Sequence, residues 1–307
     1  APDRGIHIVR RENIDDILDD SQNQWTNGYF NTCYAGIARA NTIIDRIAEA
    51  NIDEAAKNRI LGETKFLRAY FYFNLVRYFG ELPLYLTEVK KEDDAFLPKS
   101  SVEDVYKVII DDAKDAISKL ENPKFPQNGR VSKGSASTLL AEIYMTRKDF
   151  TNALPLLKSV TTMGYSLLPV YSSIFETSNK NNAESIFEIQ FMMGDQDQQS
   201  MFSYWFIPKS NNVELITGVV SNTLNYGGFN VPTDDMMDAY ENGDTRKNAS
   251  IGIAEGVIGS DGSFVIQAVK QSAEYVTPAG KISKPFVKKY LHAHSRERNT
   301  DDNWPVY

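Results

Sequence analysis

The chain has 307 residues, 42% of them hydrophobic and 24% charged, which is enough apolar content for a large core and too much for a disordered segment. Its 33 basic residues against 41 acidic ones leave a net charge of -8, which argues against a phosphate-backbone footprint and so against nucleic acid as a partner. One cysteine, Cys33, excludes an internal disulfide framework and a multi-cysteine metal site, and no run reaches the roughly 18 apolar residues of a membrane span.

Residues 1–24 read as a charged loop with one short helix, their aspartates interrupted only by isolated Ile14, Ile17 and Leu18. From Asn27 onward Cys33, Ile37, Ala40, Ile44 and Ile47 recur at spacings of four and three, the signature of one apolar helix face. Asn41 falls on or beside that face, where a buried amide bonded to neighbouring backbone is expected. The next stretch, 60–84, is apolar and aromatic on all sides of a 3.6-residue period, so a helix there needs cover along most of its surface. Asn51 and Glu54 have capping-box spacing, and Gly80 and Pro83 stop the helix after Phe79, which predicts about 26 residues and about 39 Å. Arg68 and Glu63 read as helix-face charges.

Ser100 to Glu103 is a second capping-box spacing, followed by the amphipathic run Val102 to Leu120. Pro123, Pro126 and Gly129 break that helix, and Ser132 begins a hairpin that runs to Met145, turns at Lys148-Asp149 and returns from Phe150 to Met163. Leu140-Ala141-x-x-Tyr144 and Ala153-x-x-x-Leu157 occupy tetratricopeptide positions, with the alanines allowing close helix approach while Tyr144 and Leu157 fill the groove. Past Gly164 the pattern changes. Residues 185–191 alternate as a strand, 257–268 read as a hairpin with an I′-like Asp261-Gly262 turn, and Thr233 caps a short helix.

The stretches ARANTIIDRI (38–47), GETKFLRAYFYFNLVRYFGELPL (62–84), GRVSKGSASTLLAEIYMTRKDFTNAL (129–154), GYSLLPVYSSIF (164–175), AESIFEIQF (183–191) and VPTDDMMDAYENGDTR (231–246) resemble, in order, the SusD/RagB-like outer-membrane nutrient-binding lipoproteins of Bacteroidetes. The resemblance implies a mainly α fold of tetratricopeptide-like helical hairpins with a loop-rich portion containing a few short β-strands. It implies one SusD-like domain over 1–307, with a helical scaffold at 27–163 and a mixed, ligand-binding portion at 164–307. Family members are not enzymes and need no cofactor. They bind glycan, or in some members peptide, and pair with a SusC-like TonB-dependent transporter at the cell surface in polysaccharide utilisation. Their lipidated cysteine, first helices and final helices have no counterpart here, so the chain reads as a fragment, with membrane contact expected only through a lipid anchor outside it.

Gly194 to Asn230 is long, amide-rich and dotted with rings. A sugar presents apolar C–H faces and a rim of hydroxyls, which flat rings and amides complement. Phe202, Tyr204, Trp205, Tyr226 and Phe229, with Gln199, Asn211, Asn222 and Asn225, supply both; the alternative is that half of these rings are core. Trp25 and Trp304 are assigned to packing. No metal is expected, since His292-x-His294 sits in a basic stretch that reads as a solvated loop and His7 stands apart. Asp234 and Asp235 read as helix-start charges rather than a glycosidase pair, and Asp244-x-Arg246 as a local pair. Two other functions stay open: a peptide-binding scaffold and a glycan-cleaving enzyme.

Overall fold

In the computed structural model, which describes residues 13–14, 16–191, 206–210, 212–218, 228 and 230–291, each scaffold helix begins at a side chain that takes up a free backbone amide. Asn23 accepts from Trp25 N at the start of α1 (Gln24–Arg46) and Asp53 from Ala56 N at the start of α2 (Glu54–Phe79). Ser101 accepts from Asp104 N for α3 (Val102–Lys119), Ser132 from Ser135 N for α4 (Lys133–Thr146), and Asp149 from Asn152 N for α5 (Phe150–Val160). The central helix has its expected 26 residues, and Gly80 leaves it at φ 69°. Two caps sit elsewhere than the spacing suggested. Asp53 replaces Asn51, and Ser101 replaces Ser100, because in each case it is the later residue that turns extended just before the first helical one.

Each helix packs on the next in sequence, with α2 covered by α1 on one side and α3 on the other. Tyr72, Phe73 and Leu75 are at most 1% exposed, each contributing about 1.5–3 kcal/mol of burial. Glycines set the two close approaches. A Cβ on Gly36 of α1 would meet the Phe71 ring of α2, and one on Gly62 would lie 2.8 Å from Leu120 Cγ. Farther along, Ala141 and Ala153 are buried as expected of a tight α4–α5 hairpin, and Tyr144 packs partly on the core. Leu157, expected to fill that groove, is 36% exposed although it stands one turn from buried Ala153 on α5, so it covers the groove's edge rather than its floor.

Arg68 is more than a helix-face charge. Only 5% exposed, it donates to Asp112 at 2.6 and 2.8 Å, to Asn41 Oδ1 at 2.8 Å and to the Leu86 carbonyl at 3.0 Å. Lys65 donates to the same carboxylate at 2.8 Å, and Asn41 turns its amide N–H to Tyr85 O. The network ties α1, α2, α3 and the segment after Pro83 at one buried point. A short ladder of β1 (Leu82–Pro83) with β2 (Lys99–Ser100) closes that segment.

The described residues divide into two compact units, 13–167 with 183–187 and 168–182 with 188–291. In the second, α6 (Glu214–Thr217), α7 (Asp234–Asp238) and α8 (Thr245–Ser250) precede an antiparallel sheet of β3 (Ile251–Ile258), β4 (Phe264–Gln271) and β5 (Ile282–Val287), ordered β4-β3-β5. Ala254, Phe264, Ile266 and Phe286 form its small core. Thr233 caps α7 through Met236 N, as its position suggested. The β3–β4 turn is not I′, since Gly262 is at φ 80° while Asp261 is not at positive φ; Asp261 instead accepts from Ser263 N.

Residues 185–191 form no strand. Ser135 Oγ donates to Ile186 O at 2.9 Å, Gln127 donates to Ser185 O, and Phe187 packs edge-on to Phe66 at 5.1 Å. Side chains of the helical unit take the place of a partner strand.

Candidate functional site

The ring-and-amide candidates Gln199, Phe202, Tyr204, Trp205, Asn211, Asn222, Asn225, Tyr226 and Phe229 lie outside the described residues, as do His7, His292, His294 and Trp304. Their described neighbours in sequence are anchored. Phe206 and Ile207 are buried, the Ile207 carbonyl accepts from Gly228 N, and Ser210 donates to Phe264 O. Asn212 imitates a strand: its Nδ2 donates to Ile266 O at 2.6 Å and its Oδ1 accepts from Ile266 N at 2.9 Å.

A different set of rings is open on the helical unit. Trp25 and Tyr29 stand four residues apart on one face of α1, and Tyr78, in the last turn of α2, brings its ring centroid to 5.4 Å from that of Tyr29 at an interplanar angle of 80°. Their exposures are 44%, 40% and 72%. Trp25 is therefore not core, contrary to the packing role its sequence position suggested. The inner row does the packing instead. Phe30 meets Phe79 at 5.1 Å and Tyr34 at 4.7 Å, and Tyr34 donates to Pro83 O at 2.9 Å. Asn23, 3% exposed, accepts from Trp25 N and so fixes the backbone beneath the indole.

Tyr29 stays a neutral phenol, its pKa pushed up to about 12 by partial burial first and then by Cys33 and Tyr78, so its O–H remains both donor and acceptor. Beside Tyr78, the Arg77 guanidinium lies 4.1 Å over the Phe73 ring, bonds Asn74 at 2.8 Å and pairs with Glu142 at 3.4 Å. The arrangement offers flat apolar faces and a hydroxyl in one open strip, while the neighbouring Arg77 fork is taken up by Asn74 and Glu142. Periodicity missed it because Trp25 and Tyr29 continue the row of Cys33 and Ile37 one and two turns earlier and so read as more of the same buried face, and Tyr78 sits in a stretch rich in apolar residues on all sides.

Two clefts lie in the same unit. One, of about 210 Å³, is walled by Tyr34, Ile37, Asn41, Tyr85 and Val89, but Tyr34, Tyr85 and Asn41 spend their polar atoms on backbone or on Arg68. It is small for an organic ligand. The other, of about 590 Å³, is polar and lies between the first half of α2 and residues 119–132. Among the described residues no group of His, Cys, Asp and Glu is placed to hold a metal ion, and no helix is long and apolar enough to cross a membrane. Asp234 and Asp235 occupy the first turn of α7, and Arg246 donates to Asp244 at 2.6 to 3.0 Å, both local roles.

A SusD-like family model, described as starch-binding and associating with the outer membrane, matches residues 7–145. A SusD-like protein of Bacteroides ovatus is 26% identical over 245 residues, 73% of this chain and 42% of its own length. A second, SusD-like protein P2 of Formosa agariphila, is 26% identical over 292 residues, 92% of this chain and 55% of its own. Among solved structures, a laminarin-binding SusD-like protein superposes with a TM-score of 0.71 at 25% identity, covering 91% of this chain and 62% of that one. Family model, curated relatives and solved structure are alike SusD-like, and the chain is similar to that family. The chain spans about half the length of the curated relatives it matches. The family match contains Trp25, Tyr29, Tyr78 and the larger cleft, and none of the ring-and-amide candidates between 199 and 229.

Proposed function

We propose that this SusD-like chain is the recognition portion of a non-catalytic protein that binds oligo- or polysaccharide at the cell surface and passes it to a TonB-dependent outer-membrane transporter. In this reading the whole protein is held to the outer membrane by a lipid anchor. The observation that carries it is the open row Trp25, Tyr29 and Tyr78 within the span matched by a family described as starch-binding. The likeness to a laminarin-binding protein supports glycan as the ligand class. Open rings on a helical edge suit an extended chain, which slides across a surface and needs no enclosed pocket. Trp205, Tyr204, Phe202, Tyr226 and Phe229, with Gln199, Asn211, Asn222 and Asn225, remain our proposed second ligand surface on the loop-rich portion.

Calorimetry of the chain against laminarin, starch and xyloglucan tests this. Trp25→Ala with Tyr78→Ala is expected to weaken binding by about 1–3 kcal/mol, the scale of an aromatic hot spot, while the melting temperature stays nearly unchanged because both rings are exposed. Unaltered affinity in the folded double variant, with affinity lost in Trp205→Ala, moves the site to the loop-rich portion. Release of reducing sugar from any of these glycans overturns the non-catalytic reading.

A further inference from the structure

The sequence contains three Asn-Gly dipeptides, at 27–28, 128–129 and 242–243. In each, the glycine nitrogen has no Cβ beside it to keep it from the asparagine side-chain carbonyl, and the fold decides whether the two meet. At Asn27-Gly28 they do not. Helix α1 runs through both residues, the Gly28 N–H is bonded within the helix ladder, and Asn27 Nδ2 donates to Ser21 O at 2.8 Å. Asn242-Gly243 is the centre of an exposed turn, with Gly243 at φ 82°, closed by Asp244 N donating to Glu241 O at 3.1 Å. That bond takes up the amide two residues past the asparagine, the one best placed to hold its side-chain oxygen.

Asn128-Gly129 differs at that amide. Arg130 N donates to Asn128 Oδ1 at 3.1 Å, Gly129 is at φ 75°, and the Gly129 N–H has no acceptor among the described residues. The bond to Oδ1 folds the carboxamide forward over the intervening peptide, which brings Cγ beside the Gly129 nitrogen and polarises the carbonyl that nitrogen attacks. The turn is held on both sides. Gln127 donates to Ser185 O, the Arg130 guanidinium grips Glu63 from Nε at 2.8 Å and from a terminal nitrogen at 2.5 Å, and Ser132 caps α4 just beyond. Asn128 itself is exposed, so water reaches the reacting group.

We infer that Asn128 is a self-modifying site, which deamidates through Gly129 in the folded protein with water as its only co-reactant. The Gly129 nitrogen gives its proton to hydroxide and bonds to Asn128 Cγ, and the charge that gathers on Oδ1 is held by the Arg130 N–H. The Cγ–Nδ2 bond then breaks, and the departing nitrogen takes a proton from water and leaves as ammonia. Water adds to either carbonyl of the five-membered imide and opens it to aspartate or to isoaspartate, so that one water enters for each ammonia lost. Either product sets a new carboxylate beside the Glu63–Arg130 pair in the wall of the larger cleft, and isoaspartate also lengthens the backbone by one carbon between the Gln127 and Arg130 anchors. The site stands whether or not Trp25 and Tyr78 bind glycan.

The test incubates the whole folded chain at neutral and at mildly alkaline pH and follows the peptides that carry the three dipeptides by mass spectrometry, which separates aspartate and isoaspartate from asparagine. Asn128 is expected to convert about fivefold faster than Asn242, the scale of one exposed hydrogen bond, and Asn27 to stay intact. The rate is expected to rise with pH, since the Gly129 nitrogen must lose its proton. In denaturing urea the three sites are expected to react within about twofold of one another, because the turn that sets Asn128 apart is gone. Arg130→Pro removes the N–H and is expected to slow Asn128 to the rate of Asn242, with a melting curve to show that the variant folds. Should it not fold, the comparison of folded chain with urea decides alone. Conversion of Asn128 no faster than that of Asn242 in the folded chain, the same lead in urea, or an undiminished rate in folded Arg130→Pro would each overturn the assignment.

Discussion

The helical unit and the sheet-bearing unit satisfy their interiors by different means. Around α2 the core is broad and aromatic, and its buried charges, Arg68 and Asp112, are matched side chain to side chain. The sheet encloses only a few apolar side chains, and polar side chains complete its edges by bonding backbone: Asn212 on Ile266 and Asn248 on Ala273 N at 2.8 Å. A large core tolerates an ion pair because surrounding packing holds both partners in place. A small one relies on side chains that stand in for missing ladder partners.

The comparison is broken most directly at Asp112. Asp112→Ala strands Arg68 in the core and is expected to cost about 3–5 kcal/mol, read from the denaturant midpoint; a change near zero would mean the network is solvated. Replacing both partners, Arg68→Met with Asp112→Leu, is expected to recover most of that loss. Next in size is Gly62→Val, which drives a side chain into Leu120 and is expected to cost about 1–3 kcal/mol by the same measure.

Asn212→Ala probes the other unit. It leaves the Ile266 N–H and C=O without partners and is expected to cost about 1–3 kcal/mol there, read as faster amide exchange at Ile266 with the α2 amides unaffected. Slowed or unchanged exchange at Ile266 would remove its role as a strand substitute. The smallest effect is at high pH. Tyr29, with its pKa pushed up to about 12, keeps its proton in the fold where the unfolded chain has already lost one, so its contribution is intact below about pH 10 and declines as pH rises towards 12. Burial raises Tyr34 and Tyr72 in the same direction. Alkaline unfolding curves are expected to be less steep in Tyr29→Phe, and identical curves would count against a folded-state shift at this phenol.

Local order was legible from the chain itself. The length of α2, its stop at Gly80, the capping roles of Ser132 and Thr233 and the close alanines of the α4–α5 hairpin follow from residue chemistry within a turn or two, so spacing suffices to find them. What spacing cannot carry is a partner far away in sequence. Arg68 looks like any helix-face charge until Asp112, 44 residues on, is folded against it. Residues 185–191 alternate like a strand, yet a strand needs an edge to pair with, and Ser135 and Gln127 reach their carbonyls first. The same holds for the candidate sites. Trp25 read as packing because its exposure depends on which parts of α1 its neighbours leave uncovered.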